Sequence, residues 1–440
     1  MSYQKLKNNF KSYKRLLESD TLGSFDFFTY TVCLDSIDTK TYNDFQKALN
    51  LKDHGTLLKF TPLTAHELTH FIDSTSTLWG MKHLLKMSEA YCSNNTKGGQ
   101  EAEFHKAKNF LEHTRSLRFP NYYTVVSKDV EPTRPWQSRI TIGKLFDLDG
   151  KLSDRPILFS NFSNIHGTLL ARSPISTVSI LEASAMSNEM VSRVGLIEKL
   201  EGDAKYVERA IHKRDFFDYI YNQNITEYSV CVHILANHLE CKDLFIAFQI
   251  CSIITRIVLN FPDALLEKVI ASAKIHEILR IPNGHEFEDR MYSGVKYGNL
   301  GILYYLICKS LPKYTQESKL KMIDGVEESL GRLGLSFSSI NTEACKEAEE
   351  ITSKLKESKL NAIRILARVG RDNFHKISMK SASLDFSNLS TPAIYLGDGE
   401  EVRIFNNNEN LLNEVKIEHI FDELYEGQEW GERFSEACSA

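Results

Sequence analysis

The chain has 440 residues, of which 42% are hydrophobic and 25% charged, with a net charge of −5 at neutral pH. That length allows two or three domains with full cores, and the mild acidity removes any electrostatic case for nucleic acid as a partner. The lysine-rich start does not read as a secretory signal. The longest apolar run, Leu244 to Leu259, is interrupted by Gln249 and Arg256 and is too short and polar to span a bilayer, so no membrane is expected as a partner.

Eight cysteines are scattered without a Cys-x-x-Cys pair. Free thiols and a cytoplasmic location are the expectation.

In chain order, residues 3–20 read as a basic amphipathic helix. Phe25 to Leu34 is aromatic and β-branched, which predicts a strand. A short helix follows over Thr41 to Leu51, then a short strand over Thr56 to Phe60.

The next stretch is the most informative. It reads Thr61-Pro-Leu-Thr-Ala-His66-Glu67-Leu-Thr-His70-Phe-Ile-Asp73. Thr61 suits a helix cap and Pro62 a first helical position. His-Glu-x-x-His on a helix sets two imidazoles one turn apart, where both can grip one Zn²⁺. Glu67 can then act on water at the metal. Thr64 and Glu67 also fit a capping box, which would tie Glu67 to the backbone instead. Leu68, Phe71 and Ile72 form a separate apolar face. Asp73 lies about 10 Å along the helix axis from His66, too far to share an ion, and reads as a group that orients an imidazole.

Beyond Asp73 a polar run leads to Gly80, a plausible helix stop. Residues 81–92 and 100–118 read as helices, with His83, His105 and His113 on their surfaces. Tyr122 to Val126, Arg139 to Phe146 and Pro156 to Phe162 are strand-like. Asp147-Leu-Asp-Gly150 reads as a hairpin turn rather than a calcium loop. Residues 165–174 read as a loop.

Ser176 to Leu200 is then a helix in which Glu182 sits among apolar and small residues. An acid in that setting tends to be buried and needs a partner. Ala183, Ser184 and Ala185 would let another helix approach, and a metal on the motif helix would supply the partner. Glu189, one heptad on, has more polar neighbours, so a place at the surface or behind a ligand is expected for it, and it is the rival for the third ligand position.

From about 203 to 375 the pattern is strongly helical, with breaks at Pro262 and Ile281 to His285. Residues 376–440 change again. Ala393 to Phe405 is a hairpin centred on Gly397-Asp398-Gly399, and an acidic segment, Glu418 to Glu436, reads as a short helix or loose tail.

His66-Glu-Leu-Thr-His70 on a helix, with Glu182 on a later one, resembles the zincin metallopeptidases, and within them the gluzincin branch. The resemblance covers about residues 25–200. It implies His66, His70 and Glu182 as zinc ligands and Glu67 as general base, hydrolysing a peptide bond in a cytosolic protein or peptide substrate. The Gly-x-x-His continuation of metzincins and the Asn-Glu-x-x-Ser-Asp signature of thermolysin-like enzymes are both absent. The spacing from His70 to Glu182 is longer than in compact gluzincins, which implies inserted helices and a hairpin. The mechanism also needs an oxyanion donor, for which His166, Arg172 and Tyr123 are candidates. The strand pair at 139–162 offers an edge for an extended substrate.

The expected architecture is α+β. It comprises a zincin-like domain over 1–202, an all-α helical domain over 203–375 that regulates it or recognises a protein partner, and a hairpin and acidic tail over 376–440. Restrained cytosolic proteases serve bacterial stress or defence responses, and that analogy fits here. The alternative is a helical scaffold or sensor with a structural or degenerate zincin-like domain.

Overall fold

The computed structural model describes residues 22–93, 101–147, 150–405 and 407–438, so the basic helix expected over 3–20 lies outside the described residues. The architecture is mixed α+β and predominantly helical, with two four-stranded sheets. The first sheet comprises β1 (Ser24–Asp26), β2 (Thr31–Leu34), β7 (Ile394–Leu396) and β8 (Glu401–Val402), in that order. The second holds β3 (Val125–Val126), β4 (Gln137–Phe146), β5 (Leu152–Ser163) and β6 (Leu169–Pro174), in the order β3-β6-β5-β4 and antiparallel throughout.

Three local readings are corrected. Phe25 to Leu34 is a hairpin, not one strand. The Asp26 carboxylate accepts from Phe28 N and Thr29 Oγ1, and Tyr30 adopts φ 56°, so the chain reverses there. Thr56 to Phe60 is not a strand. Asp53 accepts from Gly55 N, Thr56 N and Thr56 Oγ1, and this cap starts a one-turn helix, His54–Leu57. Within 165–174, Leu169–Pro174 becomes β6 because β5 and β3 pair with it on either side.

Of the strand expected over Tyr122 to Val126 only Val125–Val126 forms, because Asn121–Tyr123 is a 3₁₀ turn; the following expectations hold. Helices cover Thr39–Leu51, Leu78–Cys92, Phe104–Leu117 and Thr177–Ile197, and helices run from Gly202 to Lys376 with breaks at the expected prolines. The Ala393 to Phe405 hairpin forms, and its β7 pairs in parallel with β2, aligning Val32, Cys33 and Leu34 with Ile394, Tyr395 and Leu396. The acidic tail is a helix, Ile417–Cys438. Its Glu423 accepts from Asn361 N and Ala362 N, capping the helix Asn361–Lys376.

One core cluster includes Phe71, Ile257, Leu366 and Leu424, residues distant in sequence. No single helix among the described residues is long and apolar enough to cross a membrane. The Leu244–Leu259 helix is instead buried in the core.

The motif helix, Thr61–Thr75, packs along the helix Thr177–Ile197 and against β1, β2 and the helices Leu78–Cys92 and Asn361–Lys376. Gly80 does not stop a helix. It lies in the first turn of Leu78–Cys92, which Thr77 caps. A Cβ there would come 2.4 Å from the Ser74 carbonyl carbon. Gly370 makes a similar approach at the end of the motif helix, where a Cβ would lie 2.0 Å from the Thr75 carbonyl oxygen.

Gly370→Ala should therefore force these helices apart and cost about 1–3 kcal/mol. Gly331→Ala, a helical position with nothing within 4 Å of an added Cβ, should be neutral or slightly stabilising. Thermal unfolding of the two variants beside wild type tests the contrast, and equal midpoints would refute the close approach.

Candidate metal centre

The motif helix forms with Phe60 at its N-cap and Pro62 in its first turn. The Thr64–Glu67 capping box does not form. Thr64 Oγ1 donates to Phe60 O, and Thr69 and Thr75 likewise return their hydroxyls to Ala65 O and Phe71 O. This back-bonding satisfies the hydroxyls locally. The helix can then be buried nearly all round, rather than only on its Leu68-Phe71-Ile72 face. Glu67 stays free of the backbone cap. Its carboxylate lies over Gly23, where a Cβ would come 3.0 Å from Oε1.

The fold brings Glu182 to both histidines. His66 Nε2 is 3.5 Å from Glu182 Oε2, and His70 Nε2 is 3.7 Å from Glu182 Oε1. One ligand atom from each of the three lies within 4.8 Å of the others. Four-coordinate zinc with bonds of about 2.0–2.1 Å separates its ligands by roughly 3.4 Å, close to the two measured gaps. Among the described residues this is the one such grouping of histidine, cysteine or acidic side chains.

The small residues Ala183, Ser184 and Ala185 are buried, as close helix packing requires. Glu182 is fully buried and neither carboxylate oxygen has a hydrogen-bond partner. A buried carboxylate without a donor costs several kcal/mol unless a cation compensates it. The donor set therefore fits a divalent ion.

The electrostatics agree. Burial raises the Glu182 carboxyl above its ordinary range, although His66 opposes this. Burial also pushes Glu67 up to about 8, again against the pull of His66. Burial, then the neighbouring His66, holds His70 well below the usual imidazole range. For His66 burial acts downward, but the neighbouring Glu182 and Glu189 carboxylates prevail and raise it.

Glu189 takes the place behind an imidazole rather than one at the surface. Its Oε2 lies 3.1 Å from His66 Nδ1, and its Oε1 accepts from Arg193 Nη2. It thus orients the first imidazole with Nε2 toward Glu182, the arrangement common behind metal-bound histidines. The heptad spacing from Glu182, which keeps both acids on one helix face, was the available signal. Asp73 does not orient an imidazole. It turns to Ser184 and the buried Arg256, and burial, opposed by both, raises it to about 7.

Phe25 and Phe27 were not singled out from sequence, yet they flank His70. Phe25 stacks on it at 6.3 Å, and Phe27 meets it edge-on at 5.8 Å.

Other expectations fail. His83 is buried, not on the surface, with Nδ1 3.2 Å from His113 Nε2, and His113 is held well below its ordinary range by burial, then by His83. None of the three oxyanion candidates hydrogen-bonds to the metal group. His166 is exposed. The Tyr123 hydroxyl accepts from Phe146 N, and Arg172 Nε donates to Tyr123 O. The sheet against the motif helix is the one containing β1 and β2, whereas β4 is the edge of the other sheet. A hollow of about 680 Å³ among the described residues touches none of His66, Glu67, His70 and Glu182.

Comparison with protein-family models, curated proteins and solved structures returned no match to the chain.

Glu189→Gln should leave the fold intact and weaken zinc binding about 10–100-fold. Competition against a chromophoric chelator measures this, and unchanged affinity would remove Glu189 from the site. Adding Zn²⁺ to chelator-treated protein should raise the thermal midpoint, as for any ion that binds the folded state alone.

Proposed function

We propose that the chain is a zinc-dependent metallopeptidase of zincin type, with a gluzincin-like ligand set of His66, His70 and Glu182 and with Glu67 as the catalytic base. The observation that carries this reading is the pair of unpartnered Glu182 oxygens facing His66 and His70. Three protein ligands leave a coordination position open, as in catalytic rather than closed structural sites. Bound there, zinc would polarise a peptide carbonyl and ease the deprotonation of water.

The remaining work falls to this chain's own groups. Glu189 holds His66 in orientation, and Phe25 and Phe27 hold the ring of His70. Glu67, adjacent to the first ligand and free of the helix cap, accepts a proton from the attacking water. It then delivers that proton to the departing amine. The substrate is a cytosolic protein or peptide.

The helices from Gly202 to Lys376 regulate the site in this proposal. Arg256 on Leu244–Leu259 faces Asp73 on the motif helix, so a shift of one helix reaches the other. A site this buried, with Glu67 at 3% and His70 at 1% exposure, needs such a motion to admit a chain.

The same burial favours a second reading, in which the metal is structural within a helical scaffold. Glu67→Gln separates the two. Elemental analysis should find about one zinc per chain in the wild type and in Glu67→Gln, and loss of zinc in His66→Ala and Glu182→Ala. Peptide-library hydrolysis should fall about 10²–10⁴-fold in Glu67→Gln if the chain is a peptidase. Equal behaviour of Glu67→Gln and wild type would leave the structural reading. A wild-type protein that holds no zinc after incubation with it would overturn both.

A further inference from the structure

One hollow plays no part in the metal group. Its volume of about 680 Å³ is ordinary for a small-molecule site. Much of its wall is apolar and firmly packed, formed by Trp79, Leu117, Ile175, Val258 and Leu303, all buried.

Cations and acids both line it. Lys82 is neutralised, with Nζ 2.7 Å from both Asp263 and Glu347. Lys86 and Arg155 make no ion pair among the described residues. Burial, then the like charges of Arg155 and Lys82, holds the Lys86 ammonium below its ordinary value, against the weaker pull of Asp263 and Glu89. Lys86 Nζ is 3.5 Å from His113 Nδ1, and an imidazole supplies no countercharge. The Arg155 guanidinium lies over the Tyr297 ring. Arg155 also lines a second hollow of about 250 Å³ that shares Ser116 and Leu145 with the first, so it stands where the two meet. Glu89, Glu350 and Lys354 line the larger hollow too; Glu350 and Lys354 offset each other in charge, and Glu89 pulls on Lys86 less than Arg155 and Lys82 repel it.

We propose that this hollow binds an amphipathic acid, with its carboxylate held by Lys86 and Arg155 and its hydrocarbon or aromatic body laid against Trp79 and Leu303. Lys86 and Arg155 both line the hollow without an ion pair among the described residues, which leaves them open to an anionic head. The apolar wall supports a body without polar groups. An occupant would also touch the elements that carry the metal group. Trp79 meets Phe27 edge-on at 6.4 Å, Phe27 meets His70, and Ser176, which caps the Glu182 helix, lines the hollow.

Isothermal titration of the full chain with decanoate tests this, in the presence or absence of metal and without reference to hydrolysis. Saturable binding at one site is expected. Lys86→Gln and Arg155→Gln should each weaken it about tenfold, the effect of losing one charge-assisted hydrogen bond. Both positions are exposed enough to tolerate the change. Decyltrimethylammonium, with the same chain and a cationic head, should not bind. Absence of decanoate binding up to millimolar concentration, unchanged affinity in the double variant, or equal binding of the cationic amphiphile would each overturn the proposal.

Discussion

The structure depends on a buried carboxylate that no donor satisfies. Glu182 lies wholly inside the protein, between two imidazoles, with both oxygens unpartnered. Marginal stabilities of about 5–15 kcal/mol leave little room for an uncompensated charge of that kind. A cation at this position would therefore stabilise the fold as well as serve chemistry, coupling metal binding to folding. The surroundings are consistent with that demand. Small residues let the two helices close on each other, and Thr64, Thr69 and Thr75 satisfy their hydroxyls within their own helix.

Support for this site comes from parts of the chain far from it in sequence. β7 adds to β2 beside the β1–β2 hairpin that carries Phe25. Gly370 lets the helix Asn361–Lys376 touch the last turn of the motif helix, and Glu423 caps that same helix. Arg256 carries a buried positive charge toward Asp73. The long helical stretch after residue 202 is thus in mechanical contact with the motif helix, and displacement of either element carries a packing cost for the other.

Much of this was readable from local pattern. Pro62, the His-Glu-x-x-His spacing and the apolar residues between placed a helix and aligned two imidazoles. The small residues around Glu182 marked an acid that another helix would approach. Local hydrogen bonding misled where it competed with alternation. Asp53 captured three donors and turned an apparent strand into a helical turn, and Asp26 broke a ten-residue strand-like run into a hairpin. These are side-chain acceptors acting over two or three residues, an effect that hydrophobic periodicity does not register.

Periodicity reports which residues share a face, and for that reason the His-Glu-x-x-His spacing and the helix carrying Glu182 could be read one segment at a time. It does not report what covers a face. The motif helix shows a polar side in sequence, yet that side is buried because β1, β2 and three other helices close over it. His83 changed from a surface histidine to a core one for the same reason. The contact of Glu189 with His66 joins residues 123 positions apart, and the placement of Phe25 and Phe27 over His70 follows from how the hairpin packs on the helix. Such pairings are set by the mutual exclusion of side chains in a dense interior, and that exclusion exists only once the whole chain has folded.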